Sequence, residues 1–394
     1  MELSTRALNL KPSATLKVVS AAKKLIAEGK KVYDFGAGMP DFIPPQETQR
    51  AGIEAIKQNF NKYTEAGGIP ELRRAIIDKY KQQYGVEYLL DEVCVSNGAK
   101  HTLANINMAL LNEEDEIIVP VPYWVTYPEQ IKLAGGVPIY AELPQEKGCR
   151  FDSKAILSQI TSRTKAIIIN SPCNPSGVII EEAELKEILQ ECLKKEIYII
   201  YDECYEKFTY DGKSHLSPLS IDKKARSIAI LVNSLSKTYS MPGWRIGYAL
   251  GPKKIIKAMT DIQSQFTSSP SSISQKAALK AFNIPDDFLE KIISQYEEKR
   301  NLIVEGLNSI EGVKCPLPEG AFYAFPDVSY YLKGNEITTT LQLAEYLLEK
   351  GMVAVVPGES FGRPGFLRLC YATLPETISQ GLEAIKKCLK ELPG

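Results

Sequence analysis

The chain has 394 residues, of which 44% are hydrophobic, so it can bury a large core, and we predict two packed domains. Its 47 Lys and Arg residues nearly balance its 48 Asp and Glu residues, which leaves a formal net charge of −1. This balance gives no bulk attraction to nucleic acid or to an acidic membrane surface, and we predict that the protein binds neither.

The numbers and spacing of the cysteines and histidines limit which metal sites and catalytic mechanisms the chain can support. The eight cysteines include no Cys-x-x-Cys pair, so neither a zinc cage nor a redox pair is indicated, and we predict no metal site. The two histidines, His101 and His215, argue against chemistry built on several histidines. Without a signal peptide or a run of about 18 apolar residues, the chain is predicted to be soluble and cytoplasmic, with buried thiols.

In chain order, an extended arm over residues 1 to about 12 precedes alternating helices and strands. Short apolar strands spaced by helical patterns predict an α/β fold with a mainly parallel sheet covered on both faces. The predicted strands of this part lie at 32–35, 92–96, 116–120, 137–142, 165–170, 198–202, 227–232 and 243–250. The predicted helices lie at 16–28, 47–59, 70–84, 99–111, 123–133, 153–160, 181–195, 253–265 and 272–282.

A long, highly charged helix over 285–309 is predicted to lead into a second, smaller α+β unit. Its predicted strands lie near 313–316, 321–325, 353–356 and 366–371, with helices at 338–350 and 375–391. We therefore predict an N-terminal arm with part of the small domain over 1–46, a large domain over 47–285 and a small domain over 286–394.

A lysine follows the predicted strand over 227–232, among small hydroxyl residues. Lys237 lies close behind Ser234 and Ser236, and Arg245 comes eight residues later. Because open α/β sheets bind ligands at the carboxyl ends of their strands, these side chains are candidates for one site. The amine could join the aldehyde of pyridoxal phosphate, while the hydroxyls and the guanidinium hold its phosphate. A solvated lysine on a surface loop is the alternative.

The strand-to-helix turn around Gly98 is a second candidate for binding the phosphate. The N-terminus of the following helix, at Gly98 and Ala99, offers unpaired backbone N–H groups and the positive end of the helix dipole. Arg245 would complete this site, because a guanidinium can contact a phosphate in a bidentate manner.

The ring of such a cofactor needs a carboxylate at its nitrogen, because the protonated ring is the electron sink. Asp202 ends an apolar strand and is the candidate, with a turn or helix cap as the alternative interpretation. Tyr205 and Asn174 can hydrogen-bond the ring oxygen, although Asn174 also fits an ordinary turn. Trp124 is the candidate for stacking on the ring, with Trp244 as the other option; a core position is the alternative for both.

Taken together, three motifs resemble those of fold-type I pyridoxal-phosphate-dependent aminotransferases of class I. They are segments 170–177 (NSPCNPSG), 201–205 (YDECY) and 234–247 (SLSKTYSMPGWRIG). The resemblance covers essentially the whole chain, and the spacing of the candidate residues matches. Segments 11–15, 63–73, 98–100, 122–128 and 356–358 further resemble bacterial aspartate aminotransferases, a subgroup that includes enzymes acting on prephenate.

The resemblance implies a role for each candidate residue. Lys237 would be the Schiff-base lysine and proton shuttle, Asp202 would bind the ring nitrogen, and Trp124 would stack on the ring. Asn174 and Tyr205 would bind the ring oxygen. The residues implied to hold the phosphate are Gly98, Ala99, Ser234, Ser236 and Arg245, with Tyr63 reaching the cofactor of a neighbouring subunit. The resemblance thus implies a homodimer with active sites at the subunit interface, and a seven-stranded sheet in the large domain.

For the substrate, the resemblance implies that Arg368 grips the α-carboxylate in a bidentate fork near the Gly38 backbone. Lys100 and Thr15 would meet the distal carboxylate, and Lys11 occupies the place of a cation proposed to help prephenate bind. A solvated first-turn lysine is the alternative for Lys100, at a position that is unfavourable to the helix dipole. The residues implied to line the substrate site are Gly38, Trp124, Asn174, Arg368, Lys100, Thr15 and Lys11.

The predicted activity is ping-pong transamination from aspartate to 2-oxoglutarate, giving oxaloacetate and glutamate. A prephenate-directed aminotransferase or another amino-donor specificity is the first alternative. A β-lyase or decarboxylase would share the same cofactor site, and Lys100 with Thr15 favours dicarboxylate transamination over both. A cofactor-binding regulatory domain is disfavoured because the chain keeps every candidate catalytic position.

Overall fold

The computed structural model of the chain describes residues 3–8, 10, 14–333 and 337–392, so Lys11 lies outside the described residues. The helices, α1 to α15 in chain order, are Thr5–Leu8, Ala14–Ala27, Gln46–Lys57, Pro70–Tyr84, Ala99–Leu110, Thr126–Leu133, Ser153–Leu157, Glu182–Lys195, Pro218–Ile221, Leu235–Thr238, Lys253–Phe266, Ser272–Ala281, Asp286–Asn308, Thr340–Gly351 and Pro375–Lys390. The strands, β1 to β12, are Tyr33–Asp34, Val93–Ser96, Glu116–Val121, Val137–Glu142, Thr164–Asn170, Tyr198–Asp202, Ala229–Ser234, Gly247–Leu250, Tyr323–Ala324, Val353–Ala354, Val356–Pro357 and Leu367–Cys370.

Seven of these strands form one sheet in the order β2-β8-β7-β6-β5-β3-β4. The pairs from β7 to β4 are all parallel, and only β8 runs antiparallel to its neighbours. This sheet confirms the predicted α/β class with a mainly parallel arrangement. Asn170 pairs with Asp202, and Asp202 pairs with Val232, so the carboxyl ends of three strands meet at one edge.

The central strands are apolar on both faces, as a sheet covered by helices requires. In β5, Ile167 and Ile169 belong to one buried cluster, whereas Ala166 and Ile168 belong to another. Successive residues of a strand point to opposite faces, so the two clusters cover the two sides of the sheet. A sheet packed on both sides is a rigid support for the side chains at its edge.

The remaining strands form two small sheets beside α13, α14 and α15. In one, β1 pairs in parallel with β10, and in the other β12 lies antiparallel between β11 and β9. A third large buried cluster fills this part of the molecule. The domain boundaries after residues 46 and 285 stay a prediction. Among the described residues, no helix combines the length and apolar character that a membrane crossing needs.

Three sequence-based assignments were wrong. Residues 5–8 form a helical turn rather than an extended arm, and residues 313–316 make only an isolated bridge, from Lys314 to Asp327. The strand predicted over 243–250 begins at Gly247, because residues 242–244 form a 3₁₀ turn and Arg245 has a φ of 57°. A Cβ at position 247 would lie 2.3 Å from the backbone N of Ala99, so only glycine lets β8 pass this close to α5.

Candidate active site

A single cavity of about 440 Å³ lies at the edge where β5, β6 and β7 end. Its size is typical of a small-molecule site. The residues of α2, the 36–43 segment and β12 close it from the opposite side. Of the predicted site residues, those that line the cavity are Thr15, Gly38, Ala99, Lys100, Trp124, Asn174, Asp202, Tyr205, Ser234, Ser236, Lys237, Arg245 and Arg368.

Lys237 lies on α10, the short helix that follows β7 directly. Its Nζ donates a hydrogen bond of 2.5 Å to the carbonyl oxygen of Gly38, and it lies 5.8 Å from the ring centres of Tyr205 and Phe322. Burial lowers the pKa of Lys237 to about 8, because desolvation disfavours the ammonium. Near neutral pH this amine can therefore lose its proton and act as a nucleophile.

Asp202 ends β6 and is only 4% exposed. Its carboxylate accepts a hydrogen bond of 2.7 Å from the Tyr127 hydroxyl and one of 3.1 Å from the Cys204 N–H. Burial raises the pKa of Asp202, and these two hydrogen bonds act in the opposite direction. A buried carboxylate held by two donors and open to a cavity suits a cationic group such as a protonated ring nitrogen.

Asn170 fixes the neighbouring turn. Its Nδ2 donates to the carbonyl oxygen of Asp202 at 3.0 Å, and its Oδ1 accepts from the Asn174 N–H at 2.8 Å. Asn174 in turn presents its Oδ1 to Nη1 of Arg368 at 3.2 Å. These hydrogen bonds connect the ends of β5 and β6 to the Arg368 guanidinium on β12.

Arg368 crosses from β12 into the cavity and is 2% exposed. Its Nη2 donates to the Gly36 carbonyl oxygen at 2.8 Å, and its guanidinium lies 4.6 Å from the Tyr323 ring centre and 5.1 Å from that of Phe361. The Nε is buried and has no hydrogen-bond partner among the described residues. An oriented, buried guanidinium with a free donor is suited to a carboxylate.

Arg245 occupies the corner of the cavity next to the N-terminus of α5. Its Nη1 donates to the Pro242 carbonyl oxygen at 2.8 Å and its Nη2 to that of Asn97 at 3.1 Å. A Cβ on Gly98 would lie 2.4 Å from Nη2, so the glycine lets the guanidinium reach the N-terminus of α5. Gly98 does not itself line the cavity. A guanidinium beside a helix N-terminus is a favourable place for a phosphate.

The mouth of the cavity carries Lys100 and Thr15. The Lys100 Nζ lies 5.1 Å from the ring centre of Trp124, and partial burial together with the nearby Arg245 lowers the pKa of Lys100. The Thr15 Oγ1 is buried and has no hydrogen-bond partner in the described part of the chain. An ammonium and an unsatisfied hydroxyl that line the same cavity can both bind a carboxylate.

Two of the sequence candidates lie elsewhere. Tyr63 is 90% exposed on a surface loop and does not line this cavity, so its predicted reach to a neighbouring subunit stays a prediction. Trp244 does not line the cavity either, and its ring packs against Gly52 of α3. Trp124 is therefore the tryptophan at the site.

Sequence reasoning missed several contributors. Tyr127 and Asn170 lie inside motifs that the sequence made conspicuous, so their hydrogen-bonding capacity was a usable signal. The Tyr323 ring lies 4.6 Å from the Arg368 guanidinium, and the Tyr323 hydroxyl lies 2.7 Å from the Tyr205 hydroxyl. No local pattern marks Tyr323, because its role arises only from the pairing of β9 with β12.

Known proteins are similar to this chain in both sequence and fold. The family described as aminotransferase class I and II matches residues 30–385. A probable aspartate/prephenate aminotransferase of Aquifex aeolicus is 45% identical over 392 residues, covering 99% of each chain. The crystal structure of the aspartate aminotransferase of Rhizobium meliloti has a TM-score of 0.94 at 38% identity and full coverage of both chains. That of Thermus thermophilus with maleate has a TM-score of 0.93 at 38% identity, covering 98% of this chain and 100% of the other.

The fold and the cavity define an α/β protein with a buried lysine in a small-molecule cavity at the carboxyl edge of its sheet. The chain belongs to the aminotransferase class I and II family and is a transaminase.

Proposed function

We propose that the protein is a pyridoxal-phosphate-dependent aspartate aminotransferase that passes the amino group to 2-oxoglutarate. The observation that carries this proposal is the convergence of Lys237, Asp202 and Arg368 on one cavity whose mouth holds Lys100. The names of the similar proteins, aspartate and aspartate/prephenate aminotransferases, support it.

The residues of the cavity fit the cofactor. A desolvated amine, a buried carboxylate and a guanidinium beside a helix N-terminus correspond to the aldehyde, the ring nitrogen and the phosphate. We assign these contacts to Lys237, Asp202 and Arg245, with Asn174 and Tyr205 beside the ring oxygen. When bound, pyridoxal phosphate supplies an aldehyde that bonds to amines and a ring that withdraws electrons from the substrate α-carbon.

The protein groups perform the remaining tasks. Arg368 binds the α-carboxylate and fixes the orientation of the α-carbon. The Lys237 amine, neutral once its proton is lost, then takes the α-proton as a general base. Asp202 keeps a negative charge at the ring nitrogen, with Tyr127 holding the carboxylate in place. The apolar and aromatic walls exclude water from this exchange.

Lys100 and Thr15 select the substrate in this proposal. The Thermus thermophilus relative was solved with maleate, a dicarboxylate. In this chain the Lys100 ammonium and the unpaired Thr15 hydroxyl line the same cavity, which favours substrates with a second carboxylate. Prephenate also carries two carboxylates, and the name of the Aquifex aeolicus relative makes an aspartate/prephenate aminotransferase the second candidate.

A panel of substrates tests the proposal. The protein loaded with pyridoxal phosphate is given aspartate, glutamate, alanine or phenylalanine as donor, with 2-oxoglutarate or prephenate as acceptor. We expect the highest kcat/KM for aspartate with 2-oxoglutarate. Release of pyruvate, ammonia and hydrogen sulfide from added cysteine, without amino transfer to the acceptor, would instead identify a β-lyase.

Replacing Lys100 with Gln should raise the KM for aspartate about tenfold and leave the KM for alanine nearly unchanged. One charge-assisted hydrogen bond to the distal carboxylate is lost, and alanine has no such group. Steady-state kinetics with both donors measure the effect. Lys132→Gln removes an exposed lysine that pairs with Glu129 and serves as the control. Equal increases in KM for aspartate and alanine would show that Lys100 does not bind the distal carboxylate.

We also propose a homodimer that acts in the cytoplasm. Tyr63 is 90% exposed in the single chain, and Ile53 and Ile56 of α3 are exposed apolar side chains as well, which supports burial of these residues against a partner. The eight cysteines, all at described positions, are buried and unpaired, in keeping with a reducing compartment.

Sedimentation equilibrium should give twice the chain mass of 43.8 kDa, and a Tyr63→Ala variant should bind the cofactor more weakly. A monomeric, fully active protein would contradict the dimer.

A further inference from the structure

The 36–43 segment links β1 of the small sheets to α3 beside the large sheet, and it runs across the Lys237 amine. The Gly38 carbonyl oxygen accepts from the Lys237 Nζ at 2.5 Å. Two residues after α10, the Ser240 hydroxyl donates to the Phe42 carbonyl oxygen at 2.5 Å. The segment therefore meets the lysine-bearing turn at two points, and its position decides whether the Gly38 carbonyl reaches the amine.

The same segment is anchored on its other side to α13 through Asp41. The Asp41 carboxylate accepts a hydrogen bond of 2.6 Å from the Tyr296 hydroxyl and one of 2.5 Å from the Lys299 Nζ. The Asp41 N–H donates back to the Tyr296 hydroxyl oxygen at 3.1 Å. Tyr296 is 1% exposed and its ring packs edge-on against Phe42, so the α13 side of the anchor is buried, while the Asp41 side chain is 23% exposed.

We propose that Asp41 is a positioning residue that, through Tyr296 and Lys299, holds the Gly38 carbonyl against the Lys237 amine. The anchor thereby sets how readily the amine is freed to bond with the cofactor. This inference rests on the proposed function, since it concerns the lysine that takes the cofactor. None of the three anchor residues lines the cavity, and their hydrogen bonds reach Lys237 through the segment. The Tyr296 ring also packs against Phe322, which faces the amine, so a test of the hydrogen bonds has to keep that ring.

The physical reason is the charge state that each contact favours. A carbonyl acceptor stabilises the protonated amine, whereas burial disfavours it. The amine must be neutral to attack an aldehyde, so the Gly38 contact restrains capture of the cofactor. A loosened segment would weaken this contact and leave more neutral amine at a given pH. The other titratable or charged groups that act on Lys237 or face it include Cys204, Cys370, Arg368, Arg245 and Tyr205.

The test measures the rate at which the cofactor-free full chain captures pyridoxal phosphate, followed by absorbance across a pH series. We expect the midpoint of this profile to fall by about half a pH unit or more in Asp41→Asn. One unit below the wild-type midpoint, capture should then be about threefold faster. Tyr296→Phe keeps the ring and removes the hydroxyl, so it should shift the midpoint in the same direction.

A matched control is Asp261→Asn, which breaks an exposed pair with Lys257 of 2.6 Å on α11. It should leave the midpoint unchanged. If Asp41→Asn and Tyr296→Phe lower the melting temperature but keep the wild-type midpoint, the anchor is merely structural and the inference is wrong. If the wild-type chain captures no cofactor at Lys237, the proposed function fails with it.

Discussion

Replacing Lys237 with Ala should abolish covalent capture of pyridoxal phosphate and lower the transamination rate by at least about 10³-fold. The variant loses both the nucleophile and the base that takes the α-proton, whereas Asp202, Arg245 and Arg368 stay in place. Because the cavity keeps its charged walls, the cofactor should still bind non-covalently. Single-turnover kinetics with aspartate and the absorbance of the bound cofactor measure the two losses separately.

Lys257→Ala is the control for this experiment, since Lys257 is an exposed lysine on α11 that pairs only with Asp261 in the described structure. It should retain the wild-type rate and covalent capture. A Lys237→Ala protein that turns over at the wild-type rate would show that another group performs the chemistry.

Replacing Asp202 with Asn should lower kcat by about 10²-fold or more and weaken cofactor binding. The amide carries no negative charge to stabilise a protonated ring, so the electron-withdrawing state of the cofactor loses its partner. The amide NH₂ would also face one of two donors, the Tyr127 hydroxyl or the Cys204 N–H. A buried donor left without an acceptor adds a cost of about 1–3 kcal/mol to the folded state.

The matched control is Asp222→Asn, because the Asp222 carboxylate caps a short exposed turn by accepting from the Lys224 N–H. It should change stability slightly and kcat not at all. The amount of bound cofactor, the melting temperature and kcat are compared in the three proteins. An Asp202→Asn enzyme with unchanged kcat would remove the carboxylate from the proposed mechanism.

Much of the fold could be read from the sequence because its elements obey local rules. The Ile-rich strands around Ile167 and Ile199 could only be buried, and Pro70 begins α4 at the position that proline favours. The strand predicted over 243–250 starts later than expected because a contact between distant parts of the chain fixes the backbone at Arg245. Arg245 adopts a left-handed backbone conformation so that its guanidinium meets α5, and no local preference predicts such a conformation for arginine.

The candidate site was predictable to the extent that its residues follow strand ends. Asp202 ends a strand, Lys237 and Asn174 lie within a few residues of strand ends, and a parallel sheet must bring those ends together. Tyr323 and the anchor at Asp41 were not predictable in this way. Their contacts join segments that are about 120 to 255 residues apart, and only the tertiary packing of those segments creates them.

The proposed function requires that one particular amine among many, that of Lys237, binds the cofactor. The most direct test treats the purified chain with pyridoxal phosphate, reduces it with borohydride and maps the modified peptide by mass spectrometry. We predict one pyridoxyl group per chain, on Lys237. Modification spread over surface lysines, or a Lys237 peptide that remains unmodified, would show that Lys237 is not the amine that binds the cofactor.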